Sequence, residues 1–183
     1  MNGEAQNAQT PGRVRQLFPD GTWSVDRRRS EIGFAVKSLW GLATVRGTFD
    51  AFEGTVTSRD GALTGKLQID AASLDTGNRK RDTHLRSADF FDVDRRPHVT
   101  FAASAIDQAA DGPVIVGELA VASSRVPLRI PIGLTHEPDG TLRLTGGTTI
   151  ERAAAGMTWN WLGSVRGSAK LNVHLALQRV PGG

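Results

Sequence analysis

Residues 126–137 read VPLRIPIGLTHE, and their apolar side chains fall at every second position. Val126, Leu128, Ile130, Ile132 and Leu134 share one phase, whereas the positions between them hold two prolines, one arginine and one glycine. Successive side chains of a β-strand point to opposite faces of the sheet. The alternation therefore predicts a strand with one buried face.

The same alternation recurs in seven other segments, at residues 32–36, 45–56, 63–69, 99–103, 115–121, 142–150 and 171–177. Within 45–56 the apolar phase slips by one residue near Asp50-Ala51, which predicts a bulge there. Turn sequences such as Asp60-Gly61, 111–113 and 138–140 separate several of the segments. The pattern predicts an all-β protein of about eight antiparallel strands.

Eight evenly spaced strands are compatible with a closed barrel or with a sandwich of two sheets. Glycine recurs on the inward phase, at Gly47, Gly54, Gly65, Gly117 and Gly146. Glycine within a strand permits a sharp bend or the close approach of another group to the backbone. These positions favour the barrel, although strand phase alone leaves the sandwich open.

The alternation lapses between residues 76 and 94, where the sequence NRKRDTHLRSADFF is strongly charged. This segment predicts one short helix or an ordered crossing loop around residues 78–92. Residues 1–20 are polar and lack any period, so a flexible N-terminal tail is expected there. The folded domain is expected to span residues 21–180.

The net charge of +3 comes with three short basic clusters, at residues 27–29, 79–81 and 95–96. Acidic residues interrupt each cluster, so a solvated, salt-bridged surface is expected rather than a nucleic-acid interface.

The N-terminus has no apolar segment typical of a signal peptide, which predicts a cytoplasmic protein. A periplasmic or extracellular location is expected instead if the N-terminus has been processed. No run of residues is apolar enough to span a bilayer, so stable membrane insertion is not expected.

Motifs for catalysis, cofactors and metals are weak in this sequence. There is no cysteine, no nucleophile-elbow motif and no glycine-rich phosphate loop, so no cofactor is expected. The best candidate for a metal site is Asp82-Thr83-His84 with Asp89, Asp92 and Asp94 nearby, yet Arg79, Arg81 and Arg86 are interleaved with this group. We expect these arginines to pair with the carboxylates, and we therefore expect no metal. No residue is assigned a catalytic role.

The apolar interior is more informative, because an eight-stranded barrel either fills its lumen with side chains or holds one small ligand there. Small inward residues alternate with large ones, which leaves room for a hydrocarbon chain. We expect the lumen to be lined by Phe34, Val36, Phe49, Phe52, Ile69, Phe90, Phe91, Phe101, Leu119, Leu128, Ile130, Met157, Trp159 and Trp161. Arg81, Asp82 and His84 are expected at a polar rim.

Three stretches carry a family resemblance: WSVDRRRSEIGFAVK at 23–37, GTFDAFEG at 47–54, and IDAASLDTGNRKRDTHLRSADFFDVDRRPHVTF at 69–101. On these motifs the chain resembles the YceI-like, polyisoprenoid-binding proteins from about Trp23 to Arg179. The resemblance implies a lipocalin-like antiparallel barrel whose lumen holds a long amphiphile such as a polyprenyl chain. It implies no catalysis.

The leading hypothesis is therefore a binding or carrier protein for a polyisoprenoid, a quinone or a fatty-acid-like lipid. Two alternatives stay open at this point: a stress-related structural barrel with a filled core, and an enzyme that acts on a lipid through Arg81, Asp82 and His84. Apolar residues at the rim or at a strand edge also make a homodimer possible.

Overall fold

A computed structural model describes residues 11–38, 43–151 and 168–181 of the chain. It contains two α-helices, α1 (Pro11–Leu17) and α2 (Arg79–Arg86), and two single 3₁₀ turns at Arg27–Arg29 and Ala71–Ser73. The strand segments are β1 (Gly21–Val25), β2 (Glu31–Ser38), β3 (Ala43–Phe49), β4 (Phe52–Arg59), β5 (Ala62–Asp70), β6 (Leu74–Asp75), β7 (His98–Ala109), β8 (Gly112–Val121), β9 (Ser124–His136), β10 (Leu142–Glu151) and β11 (Ser168–Arg179).

The segments combine into a closed antiparallel barrel of eight long strands. β1 and β2 lie end to end along β11, with Val25 opposite Leu177 and Ile32 opposite Val173. β3 and β4 lie end to end on the other side of β2 and β1, and β6 continues the line of β5. Neighbouring strands follow the order β1-β4-β5-β7-β8-β9-β10-β11, and the barrel closes where β11 pairs with β1. The predicted eight-stranded barrel is confirmed, and the sandwich is excluded.

The irregularity predicted near Asp50-Ala51 and the short helix predicted around residues 78–92 are both present. The long strand formed by β3 and β4 is interrupted at Asp50 and Ala51, where Ser73 supplies the missing acceptors: its carbonyl accepts from the Asp50 amide at 3.3 Å and its hydroxyl accepts from the Ala51 amide at 3.0 Å. The single helix expected around 78–92 is α2, and it is followed by turns.

The two ends of the barrel differ in what covers them. The end with the β4–β5, β7–β8 and β9–β10 turns, here called the lower end, also carries α1. The opposite or upper end, where β5 ends and β7 begins, carries α2 and the turns that follow it.

Residues 11–20 are not a tail, and the prediction is wrong for that part of the N-terminus. Residues 11–17 form α1, and Phe18, directly after it, is 0% exposed within the barrel core. Ser58 Oγ donates a hydrogen bond to the Phe18 carbonyl at 2.9 Å. Val14, Leu17 and Phe18 have the i, i+3, i+4 spacing of one helical turn, but a single turn is a short signal within a polar stretch that also contains glycine and proline. Residues 1–10 lie outside the described range.

The lower end is also held by an ionic cluster around Arg29. Its guanidinium donates to Glu137 Oε2 at 2.6 Å and to Asp139 Oδ2 at 2.9 Å, which ties the β9–β10 turn to the turn between β1 and β2. Hydrogen bonds from Thr141 and from Arg29 lower the pKa of Asp139 to about 2. Because the folded pKa is depressed, this contribution to stability is present above the usual pKa near 3.8 and is lost as the pH falls through about 2.

Two of the inward glycines accommodate phenylalanine rings from neighbouring strands. Gly47 lies opposite Phe34, and a Cβ placed on Gly47 would lie 2.6 Å from Phe34 Cζ. A Cβ on Gly117 would lie 2.6 Å from Phe101 Cζ and 2.3 Å from the Ala102 carbonyl oxygen. At these two positions glycine makes room for a ring of the protein itself, whereas Gly65 and Gly146 are part of the cavity wall.

The Gly117→Ala substitution is expected to destabilise the protein by about 1–3 kcal/mol, the usual cost of overpacking a core. The new methyl group would clash with backbone as well as with Phe101, so a rotamer change cannot relieve it. Urea denaturation of both proteins measures this cost. Gly147→Ala is the matched control, because its Cβ would lie 3.2 Å from the Leu171 carbonyl oxygen and a shift of a few tenths of an ångström relieves the contact. Equal stability of the Gly117→Ala variant and the wild type would contradict the packing described here.

Candidate functional site: an apolar cavity inside the barrel

The barrel encloses a cavity of about 470 Å³, and all eight long strands contribute to its wall. This volume falls within the roughly 300–1,000 Å³ typical of small-molecule sites. Valine, isoleucine, leucine and phenylalanine supply most of the wall. Its polar members are few: Thr55, Lys66, Arg81, His84, Thr148 and Asn172. Such a wall suits a hydrocarbon chain, because a sugar or nucleotide would lose its hydrogen bonds to water without replacement.

Ten of the fourteen side chains expected in the lumen lie on the cavity wall: Phe34, Val36, Phe49, Ile69, Phe90, Phe91, Phe101, Leu119, Leu128 and Ile130. Their role in ligand binding stays a prediction. Phe52 is buried in the core but is not a wall residue. It lies at the first position of β4, beside the interruption at 50–51, where core side chains fill the interior. Met157, Trp159 and Trp161 lie outside the described residues.

β10 and β11 contribute wall residues that the sequence analysis did not include among the lumen residues. Leu144 and Ile150 come from β10, and Leu171, Val173 and Leu175 come from β11. The alternation already places all five on the inward phase of their strands. The predicted set of lumen residues does not contain these five because it favours aromatic residues, whereas aliphatic side chains line this side of the cavity.

Aromatic rings cluster at the upper part of the cavity. The rings of Phe49 and Phe91 meet edge to face, with centroids 5.9 Å apart and planes at 86°. Phe34 packs against Phe49 from the other side, at 5.8 Å. Edge-to-face and tilted arrangements of this kind are favourable aromatic contacts. Phe90 and Phe91 belong to the turn after α2, so this turn forms part of the cavity wall.

α2 places two of the three predicted polar rim residues on the wall. Arg81 and His84 are three residues apart, so they lie on one face of the helix. His84 Nε2 lies 3.5 Å from Asp89 Oδ2, and the imidazole meets the Phe90 ring edge to face at 5.1 Å. Both side chains are in a position to reach a polar group at the upper end of a bound chain.

Arg81 brings a permanent positive charge to an otherwise apolar wall. Its Nε donates to Thr76 Oγ1 at 2.8 Å, and its Nη2 donates to the Thr76 carbonyl at 2.9 Å. Across the described ranges, no carboxylate lies within ion-pair distance of this guanidinium. The guanidinium therefore has further N–H groups that can donate hydrogen bonds to an anionic or carbonyl group.

Asp82 has a different role from its two neighbours. Its side chain is only 5% exposed and does not reach the wall. Asp82 Oδ1 accepts hydrogen bonds from the Thr76 amide, at 3.1 Å, and from the Thr76 hydroxyl. One turn further along the same face of the helix, Arg86 donates to the carbonyls of Ala72, at 2.9 Å, and Leu74. Asp82 and Arg86 thus attach α2 to residues 72–76, and Asp82 is not among the residues that line the cavity, so its place at the polar rim is that of an anchor for the helix.

Histidine and carboxylate side chains do not gather into a metal site in the part of the chain that the structure describes: no three of them come together. Asp82 and His84, the best candidate in the sequence, do not face the same place. Asp82 is hydrogen-bonded to Thr76, whereas His84 lies on the cavity wall. Neither described helix is long and apolar enough to cross a membrane.

Asp82→Ala is expected to destabilise the protein by roughly 1–3 kcal/mol, because the amide and hydroxyl of Thr76 lose their buried acceptor. Asp82→Asn is the matched control: the amide oxygen still accepts both bonds, so its stability should stay close to that of the wild type. Chemical denaturation measures the stability, and hydrogen exchange of the α2 amides locates the loss. If both variants are equally unstable, the charge of Asp82 matters more than its hydrogen bonds and this account of the network is wrong.

The comparisons with known proteins agree with the barrel fold. The YceI-like domain model matches residues 23–177. Protein YceI of Escherichia coli is 31% identical over 111 residues, which are 59% of this chain and 58% of that protein. The UPF0312 protein YE1254 of Yersinia enterocolitica is 32% identical over 109 residues, or 58% of this chain and 56% of that one. The chain thus matches less than two thirds of the length of these curated relatives.

Solved structures share the same fold. BcnA of Burkholderia cenocepacia superposes with a TM-score of 0.74 at 24% identity, over 83% of this chain and 98% of BcnA. A polyisoprenoid binding domain from Saccharophagus degradans, implicated in plant cell wall breakdown, superposes with a TM-score of 0.72 at 15% identity, over 86% of this chain and 98% of that domain. With the domain match covering most of its length, the chain belongs to the YceI-like family.

Proposed function

We propose that this protein binds and carries a long apolar amphiphile, of the polyisoprenoid, quinone or fatty-acid type, in the barrel cavity. The observation that carries the proposal is the cavity of about 470 Å³ with an almost wholly apolar wall. The polyisoprenoid binding domain from Saccharophagus degradans, which has the same fold, supports it.

The energetics of such a wall favour a flexible hydrocarbon chain. Each buried methylene group contributes about 0.8 kcal/mol, so a few isoprene units offset the cost of association. The wall offers few hydrogen bonds, so it selects for apolar length rather than for the detailed shape of the ligand. Several lipid classes with similar chains are therefore expected to bind.

The polar end of the ligand is expected at the upper end of the barrel. Arg81 and His84 lie there, on the face of α2 that lines the cavity. The third charged wall residue, Lys66, lies at an outward position of β5 with its side chain exposed. A phosphate, carboxylate or quinone carbonyl beside Arg81 would receive charge-assisted hydrogen bonds, while the tail lies along the apolar wall.

The two alternative functions have less support. A structural barrel with a filled core does not need an interior space of this size, and the cavity argues against it. An enzyme acting through Arg81, Asp82 and His84 needs the three side chains to converge in the lumen, whereas Asp82 is bonded to Thr76 away from the wall.

Ala103→Phe is expected to weaken the binding of an isoprenoid at least about ten-fold, because the ring would occupy space that the ligand needs. Ala103 lies on the cavity wall, and its neighbour Ala102 is exposed on the outer face of the same strand. Ala102→Phe is therefore a matched control that adds the same ring outside the barrel. Titration with a fluorescent prenyl analogue measures both affinities. If the two variants bind as tightly as each other, the ligand does not lie in the cavity.

A further inference from the structure

We infer that Phe18 and the N-terminal segment that carries it close the lower end of the cavity and limit the length of chain that the barrel can bury. This inference rests on the proposed function. It concerns residues that precede the region matched by the YceI-like domain, which begins at residue 23.

On three strands, the cavity ends one inward position above the lower edge of the barrel. Its wall includes Val25, Val56 and Leu144. The next inward position toward the lower end is Trp23 on β1, Ser58 on β4 and Leu142 on β10, and none of these three lies on the wall. All are at most 4% exposed. Below the cavity, the interior is therefore a filled layer of side chains.

Phe18 belongs to this filled layer although it does not come from a strand. Its side chain is fully buried in the same core cluster as Trp23, Leu63 and Leu142. Its carbonyl accepts the bond from Ser58 Oγ, which is itself buried inside the barrel. A serine hydroxyl at an inward position of β4 has little to bond with in an apolar core, and the Phe18 carbonyl supplies its acceptor.

Ion pairs outside the barrel hold the segment in place. Arg15 of α1 lies 2.5 Å from Asp60 Oδ1, in the β4–β5 turn, and 3.5 Å from Asp20 Oδ2. The Asp60 amide also donates to Asp20 Oδ1 at 3.1 Å. The segment on both sides of Phe18 is thus attached to one turn of the barrel, so the ring closes this end as a fixed part of the fold.

A closed floor has a measurable consequence for binding. As the apolar chain of a ligand is lengthened, affinity increases until the tail reaches the floor, because each buried carbon contributes. Carbons beyond that length stay outside the barrel in water and contribute nothing. Affinity plotted against chain length should therefore reach a plateau, and the position of that plateau should depend on Phe18.

The test is to measure the affinity of the full-length protein for a series of linear prenols that differ by one isoprene unit. In the wild type we expect affinity to increase along the series and then to level off. Phe18→Ala removes a ring of about six carbons and so makes room for roughly one isoprene unit of about five carbons. The first prenol beyond the wild-type plateau should bind this variant at least about ten-fold more tightly than it binds the wild type.

Two further variants separate the floor from a general loss of stability. Arg15→Gln weakens the attachment of α1 but leaves the ring in place, so its plateau should match that of the wild type. Phe18→Leu is a smaller change that keeps the core filled if Phe18→Ala does not fold. The first prenol beyond the wild-type plateau should bind this variant more tightly than it binds the wild type, by a smaller factor than for Phe18→Ala. Circular dichroism and thermal unfolding show which variants are folded.

The outcomes are distinguishable. If the wild type binds the shorter prenols but the folded Phe18 variants level off at the same chain length, the inference about the floor is wrong and the proposed function stands. An increase in affinity without any plateau in the wild type would also overturn the inference. If the wild type binds no prenol of any length, the proposed function is overturned, and the inference with it.

Discussion

β11 pairs with β10 along one edge and with β1 and β2, end to end, along the other. This pairing turns an open sheet into a closed one, in which each long strand has a neighbour on both sides. Closure pairs most of the strand edges, and among the described residues the β9–β10 ladder is short, because it ends at Ile132 and Gly146. Closure also determines that the inward side chains of eight strands face one another, and eight strands enclose a lumen just large enough for side chains or for one small ligand.

The way the lumen is filled differs from one end to the other. At the lower end Trp23, Leu63, Leu142 and Phe18 pack into a solid layer, and α1 covers it. In the middle and toward the upper end, side chains from opposite walls do not meet, and the space between them is the cavity. Arg81 and His84 lie at that upper end, so the structure combines a mostly apolar interior with polar side chains of α2 at its upper end. This asymmetry matches the asymmetry of an amphiphile, which has one polar end and one apolar tail.

Much of this fold could be predicted from the sequence, because period-two alternation reports directly on which side chains face inward. Most of the predicted wall residues follow from that phase, as does the interruption at Asp50-Ala51. The roles of Asp82 and Phe18 could not be predicted in the same way. Whether Asp82 faces the lumen or Thr76 depends on how α2 is attached to residues 72–76. The burial of Phe18 depends on where a short helix docks, and its apolar pattern spans a single turn, from Val14 to Phe18. Both are tertiary contacts that leave no local pattern.

The central claim is that the cavity holds one apolar amphiphile. Native mass spectrometry of the intact protein, after incubation with vesicles made from a bacterial total lipid extract and removal of the vesicles, tests this most directly. The account predicts one lipid molecule per chain on the wild type and a strongly reduced occupancy on the Ala103→Phe variant, whose lumen is filled. A wild-type protein that carries no lipid, or an Ala103→Phe variant that carries as much as the wild type, would contradict it.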